Sequence, residues 1–358
     1  DEEDPGDQQD MQYHLVCIDR KDGSTQWSRT IQPSLPEHRY GGMLMLHGYA
    51  THTPVSDGET IFAFFGKTGV FAFDLDGNQL WQTNVGTTLD SRRWGSSASP
   101  ILHEDFVIVT ASVEDEALVA LDKATGDVAW RLQGKEVANI WGTPALVTVN
   151  DKTELVVSVP FDLWGIDPET GKRLWRCESA RDNTAGSGVM VHGDVAYVLG
   201  ARFGGTTAVR AGGRGDVTGD RKLWSSRYRG RTVTPIYHEN HIYWIFSRVA
   251  YCAHAETGES LYRARLKKTV GTGGGPATND YASPVFSDGL MYQLTRDGEM
   301  LVIELGPEYR EVTRNRFHGG GIFGATPALS RGELFVRSSK HLYCVSGADA
   351  KRLLGISN

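Results

Sequence analysis

One turn, written again and again along the chain, most constrains what this sequence can fold into. Cys17-Ile18-Asp19-Arg20-Lys21-Asp22-Gly23-Ser24-Thr25-Gln26-Trp27 aligns with Ala120-Leu121-Asp122-Lys123-Ala124-Thr125-Gly126-Asp127-Val128-Ala129-Trp130. Gly165-Ile166-Asp167-Pro168-Glu169-Thr170-Gly171-Lys172-Arg173-Leu174-Trp175 repeats the pattern, with eight positions from Asp to Trp in all three. A shorter copy runs from Asp74 to Trp81, and Asp216 to Trp224 restores the spacing of eight. Degenerate copies follow at His254–Tyr262, Glu304–Val312 and Ser346–Leu354, so the anchors recur about every 47 residues. Self-similarity on this period marks a stack of one supersecondary unit.

The physics of one unit is readable. Leu118-Val119-Ala120-Leu121 has the apolar and β-branched content of a strand. Asp-x-x-Thr-Gly is a hairpin turn: the Asp and Thr side chains bond turn amides, and Gly takes the left-handed backbone position. The Trp on the returning strand is a large plate suited to packing on a neighbour. Upstream, Thr53-Pro54, Ser99-Pro100, Thr143-Pro144, Thr234-Pro235, Ser283-Pro284 and Thr326-Pro327 each open a further strand, with Ser187-Gly188 standing in for the fifth unit. Pro at a strand's first residue costs no ladder donor. The 42 glycines, about 12% of 358 residues against an average of ~7%, are what many tight turns require. Four short strands per unit describe an all-β propeller. None of the nine Trp is followed by Asp, which disfavours a WD40 repeat.

The units fall at about 12–30, 49–84, 96–133, 141–178, 186–227, 232–265, 281–316 and 325–355, in one domain over 12–358. Residues 1–11 read as an acidic, disordered, strandless stretch. The first unit thus has two strands instead of four, its inner pair expected upstream of the given sequence. The expected architecture is an eight-bladed ring of four-stranded antiparallel sheets, seven blades complete and one halved, with an unpaired edge where the ring should close.

Charge and cysteine bound the function weakly. Six of the acids behind the net charge of −7 lie in the first ten residues, leaving the rest near −1. Arg202, Arg210, Arg214, Arg221, Lys222, Arg227, Arg229 and Arg231 face only Asp216 and Asp220, a local excess of +6. That stretch is either a surface for an acidic partner or a solvated loop face, and we single out Arg210, Arg214, Arg221, Lys222 and Arg229 as partner-binding candidates. With a sequence pI of about 5.9, nucleic acid is not expected. Cys17, Cys177, Cys252 and Cys344 form no CxxC pair and no zinc spacing, and read as free thiols in strands. No apolar run reaches the ~18 residues of a membrane-spanning helix.

The apolar-x-Asp-x-x-Thr-Gly-x-x-x-Trp signature resembles the repeat of the pyrroloquinoline-quinone (PQQ) propeller superfamily. The segments 153–175 and 208–216 look most like its PQQ-binding-like, BamB-like outer-membrane assembly branch, of planctomycete type. The resemblance covers residues 12–356. It implies a periplasmic or secreted propeller, with a protein partner for a scaffold, and PQQ with calcium for the alternative, a quinone-dependent dehydrogenase or a PQQ-binding remnant of one that uses the central funnel. A quinoprotein of that kind would resemble longer chains, often with adjacent cysteines, which are lacking here. No haem, zinc-protease, P-loop or nucleophile-elbow motif is present. The scaffold, non-enzymatic and without a cofactor or metal, is the leading expectation. Asp-rich turns such as Asp74-Leu75-Asp76-Gly77-Asn78 echo calcium loops but occupy the repeat's turn position. His254 likewise takes a turn's Asp position, and Arg214-Gly215-Asp216 is assigned no function.

Residues just before each inner strand should line one mouth of a central funnel: Tyr49, His52, Arg92, Arg93, Trp94, Asn139, Trp141, Asn183, Arg231, Asn279, Tyr281, His318 and Phe323. Convergent Arg, Asn and aromatic groups suit an anionic planar ligand. The bland alternative is ring packing and rim charge.

Overall fold

The computed structural model describes residues 6–42, 44–89, 92–179, 182–200, 203–267 and 281–346. A hairpin, β1 (Tyr13–Ile18) with β2 (Thr25–Ile31), comes first. Blade I is β3 (Val55–Ser56), β4 (Thr60–Phe64), β5 (Val70–Asp74) and β6 (Gln79–Thr83), and blade II is β7 (Ile101–His103), β8 (Phe106–Ala111), β9 (Ala117–Asp122) and β10 (Val128–Gln133). Blade III is β11 (Ala145–Val149), β12 (Lys152–Val159), β13 (Asp162–Ile166) and β14 (Arg173–Glu178). Blade IV is β15 (Met190–His192), β16 (Val195–Val198), β17 (Thr206–Arg210) and β19 (Lys222–Ser226), with β18 (Gly215–Asp216) added to blade III. Blades V and VI are β20 (Ile236–His238), β21 (His241–Phe246), β22 (Val249–His254), β23 (Ser260–Arg265), then β24 (Val285–Ser287), β25 (Leu290–Leu294), β26 (Glu299–Glu304), β27 (Arg310–Arg316). Blade VII has β28 (Ala328–Ser330), β29 (Glu333–Arg337) and β30 (Leu342–Val345).

The Asp turns at Asp19, Asp74, Asp122 and Asp167 do what their residues dictate. In blade II, the Asp122 carboxylate accepts from the amides of Ala124 (2.8 Å) and Thr125 (2.9 Å), and Gly126, at φ +77°, returns its amide to the Asp122 carbonyl. A register shift between Val128 and Trp130 then aims the indole sideways. The Trp130 indole nitrogen donates to the Pro168 carbonyl of the next blade's turn (2.8 Å). A Cβ on Gly171 of that turn would lie 2.5 Å from the Trp130 ring. Trp27, Trp81 and Trp224 repeat the contact on Leu75, Lys123 and Ala255 at 2.7–2.9 Å. The repeat is therefore a latch between neighbours, and its Gly is required twice, for backbone conformation and for ring clearance.

The Ser/Thr-Pro signature closes a second set of links, around the shaft. The Thr53 amide donates to Ser99 Oγ (2.9 Å), Ser99 to Thr143 Oγ1 (3.0 Å), Thr234 to Ser283 Oγ (3.0 Å) and Ser283 to Thr326 Oγ1 (3.0 Å). Each hydroxyl thus satisfies the orphan amide of the preceding blade. Gly188 replaces Ser/Thr where a Cβ would come within 2.5 Å of Thr234 Oγ1.

Three expectations need correction. The ring has seven blades, not eight: the 12–30 unit is a two-stranded hairpin that docks on blade I through Trp27, Tyr13 and Ile31. Blade VII has three described strands, and the fourth expected up to residue 355 lies outside the described residues. Asp216 does not hold a tight turn. Residues 211–221 instead form an excursion in which β18 pairs in parallel with β14 and a short helix, α2 (Thr218–Arg221), follows. With the usual turn displaced, Trp175 donates to the buried Glu154 carboxylate (2.7 Å), which also accepts the Gly212 amide (3.1 Å). Nor is the start wholly irregular: Gln8–Asp10 form a 3-10 turn, and the Gln8 amide group bonds the carbonyls of Glu37 and His38.

Between β2 and β3, residues 32–52 cross the upper face, where outer strands connect to the next inner strands. This strap carries the one-turn helix α1 (Leu44–His47), with Leu44 fully buried. Arg296 in blade VI donates to the Leu46 carbonyl (3.2 Å), while His47 meets the Trp94 carbonyl between blades I and II (2.8 Å). The strap so spans the mouth of the ring.

Candidate functional site

The central funnel is a cavity of about 2280 Å³. The Ser/Thr shaft ring contributes Thr53, Ser99, Thr143, Thr234, Ser283 and Thr326 to its wall. Of the expected mouth residues, Tyr49, His52, Trp94, Trp141, Arg231 and Tyr281 reach it. Arg92, Arg93, Asn139, Asn183, His318 and Phe323 do not line it, and Asn279 lies outside the described residues. The cause is local. Arg92 lies over the Trp94 ring at 5.4 Å, Phe323 is buried in the core between blades VI and VII, and the His318 carbonyl accepts from Tyr343 (2.7 Å). Asn139 sits at φ +62° and spends its carbonyl on the Ala185 amide. Trp94 and Trp141 pack on each other (centroids 4.8 Å, 48°), and the Trp141 indole donates to the Gly95 carbonyl (2.7 Å).

The sequence did not single out Arg39, Arg337 and Lys340, which also line the funnel and, with Arg231, outnumber its acids Asp7 and Asp10. They come from the strap, from the last residue of β29 and from the loop after it, places that carry no repeat signature. A second unforeseen cluster anchors the strap. His52 Nε2 is 3.0 Å from Ser96 Oγ, and Ser96 also bonds Glu114. Burial pushes the His52 imidazole down to about 3 and the Glu114 carboxyl up to about 7. Among the described residues His52 Nδ1 and Glu114 Oε2 have no hydrogen-bond partner. Nearby, burial raises the Glu37 carboxyl, which bonds the Tyr13 hydroxyl (3.1 Å).

The basic stretch is not one patch. Arg210, Arg214, Arg221 and Lys222 belong to the lower side of blade IV, where the Asp turns lie. Arg210 is paired with Asp194 (2.8 Å), Arg214 stands 3.6 Å from Glu154, and Arg221 donates to the Ala211 carbonyl (2.9 Å). Arg229 and Arg231 lie past the far end of β19, on the upper side, where Gly230 bonds the Gly200 carbonyl. Five residues of strand at ~3.3 Å each separate the two groups. Cys177 and Cys252 are buried, Cys17 is half-buried and Cys344 exposed, all four as free thiols.

The Asp turns spend their carboxylates on their own backbone: Asp74 accepts from the Asn78 amide (2.7 Å) and its side-chain nitrogen (2.8 Å), which hold it below the usual carboxylate range. Among the described residues no three His, Cys, Asp or Glu side chains converge to hold a metal.

Comparison with known proteins follows this geometry. The family model described as outer membrane protein assembly factor BamB matches residues 12–245. The chain belongs to this family. Among solved structures, BamB from Moraxella catarrhalis superposes with a TM-score of 0.65 at 14% identity, over 90% of this chain and 88% of that one. The computationally designed Ika8 protein gives 0.59 at 12% identity, over 84% of each chain. A europium-containing methanol dehydrogenase gives 0.53 at 15% identity, over 84% of this chain and 76% of the other. At these identities the likeness is one of fold. The curated proteins contain no match. Among the described residues no helix is long and apolar enough to cross a membrane.

Proposed function

We propose that this BamB-family propeller is a non-enzymatic interaction scaffold of the cell envelope, presenting a face of its ring to a protein partner. The observation that carries it is how the ring uses its own mouth. The strap lies across the mouth, tied to both sides through Leu46 and His47, and Ser/Thr hydroxyls of the shaft are committed to inter-blade hydrogen bonds. What remains presentable is the outside, including Arg214, which is 65% exposed at its side chain.

A photo-cross-linking amino acid at position 214, and separately at 229, tests the reading in envelope preparations. A discrete adduct from one face and not the other supports a scaffold. Absence of any adduct from both faces, together with dye-linked oxidation of an alcohol or sugar panel on addition of PQQ and Ca²⁺, overturns it.

The second reading places an anionic planar ligand such as PQQ in the funnel, and Arg231 with Tyr281 on the wall favours it. The fit is poor in one respect: Trp94 and Trp141 tilt against each other and offer no parallel faces to sandwich a ring. The Asp turns that echo calcium loops are internally satisfied.

A further inference from the structure

Seven cores of buried side chains join neighbouring sheets: hairpin to blade I, then I to II and onward to VI and VII. Among the described residues none joins blade VII to the hairpin. There the described walls are exposed. On β30, Leu342 is 51% exposed and Cys344 is exposed; on β1, Val16 and Ile18 are 43% and 40% exposed. The register puts Phe335 and Cys344 opposite each other, and Arg337 opposite Leu342, on the face of blade VII turned to the hairpin. That direction is marked by Arg20, from the hairpin turn, which lies over the Phe335 ring (5.1 Å), pairs with Glu333 and bonds Ser330 Oγ (2.9 Å). Arg20 bridges the seam only at the lower end.

The strand beside this seam is built for more company than it has. Leu15-Val16-Cys17-Ile18-Asp19 on β1 reads almost as Leu118-Val119-Ala120-Leu121-Asp122 on β9. β9 is paired on both edges, by β8 and β10, and Leu118 through Leu121 are all 0% exposed. β1 pairs only with β2 among the described strands, and its His14 and Leu15 face the funnel.

The geometry points to the seam between blade VII and the hairpin as a docking site for an extended segment of a partner polypeptide, added antiparallel to the free edge of β1. Its chemistry follows from the walls: apolar residues at alternate positions to cover Val16, Ile18 and Leu342, and a carboxylate at the upper end near Arg337 and Lys340. The backbone ladder supplies affinity, and the side-chain alternation supplies register. This site is separate from the two ring faces considered above and does not depend on which of them, if either, binds a protein.

The repeat supplies its own probe. A labelled synthetic peptide of residues 99–114 carries β8, the natural neighbour of β9, together with β7, which pairs with β8, and ends on Glu114. Titrated into the intact protein, it is expected to bind saturably and to slow alkylation of Cys344 at least about tenfold. V16E and I18E together should weaken binding at least about tenfold with unchanged far-UV circular dichroism and melting. F161E, on the exposed turn between β12 and β13 in blade III, should leave it unchanged. In the free protein, amides of β1 should exchange with deuterium faster than those of β9. Any of four results overturns the proposal: no peptide binding, binding indifferent to V16E and I18E, β1 amides as protected as those of β9, or concentration-dependent dimers that shield Cys344 and so assign the seam to a second copy.

Discussion

β9 and β1 carry nearly the same five residues and live in different surroundings. β9 is sandwiched between blades I and III and paired on both edges; among the described residues β1 packs on blade I alone, and Val16 and Ile18 are exposed. The difference shows that burial in a propeller belongs to the neighbours, not to the strand. A strand can have the composition of a core element and still face solvent if the sheets on either side do not meet.

The sharpest way to break the comparison is at the latches. Trp130→Ala empties a buried site on the sealed side and should cost about 3–5 kcal/mol. Trp27→Ala, on the half-exposed hairpin, should cost less than half of that, both read from urea denaturation midpoints. Equal losses would mean that the hairpin is as integral as a blade. Next come the glycines. Gly171→Ala places a Cβ 2.5 Å from the Trp130 ring and should cost about 2–4 kcal/mol, combining collision with backbone strain. Gly23→Ala has the same backbone strain (φ +77°) but nothing within 4 Å, and about 1 kcal/mol is expected from strain alone. A third pair tests the strands directly: Val119→Ala should cost about 2 kcal/mol and Val16→Ala under about 0.5, measured by thermal unfolding.

Smaller effects concern the mouth. Ser99→Ala removes the acceptor for the Thr53 amide and should cost about 1 kcal/mol. The strap anchor should give a pH signature of opposite sign on its two sides. Glu114 is raised to about 7, so the fold holds its proton more tightly than the unfolded chain; stability falls as pH rises from about 4.5 through 7. His52 is lowered to about 3, so the fold resists protonation; stability falls as pH drops from about 6.5 towards 3. Glu114→Gln should flatten the alkaline limb of the melting temperature between pH 5 and 9 and leave the acid limb in place.

The repeating unit was legible because its residues act locally. Asp122, Gly126 and Trp130 need only a turn, a left-handed position and a bulge to do their work. The funnel was legible in part, through Trp94, Trp141, Arg231 and Tyr281, which sit four to seven residues before their inner strands. Arg39, Arg337 and Lys340 escaped notice because their places carry no repeat signature. The Arg-rich stretch misled for the opposite reason: neighbours in sequence were treated as neighbours in space, whereas β19 carries the chain from the lower side to the upper between Lys222 and Ser226. Asp216 kept the spacing of eight from Trp224 while an inserted strand and helix took over the turn, a substitution that counting residues does not detect.

By itself the sequence determined that the chain builds sheets of this kind, that a Trp on a returning strand packs on a neighbour at several junctions, and that the turn Asp side chains bond turn amides. Those outcomes rest on hydrogen bonds and clearances within a few residues. Tertiary structure alone decided how many blades exist, which cations share a cavity and where the ring stays open. Each of these depends on sheets far apart in the chain meeting or failing to meet, as Arg20 meets Glu333 across 313 positions while Val16 stays 43% exposed.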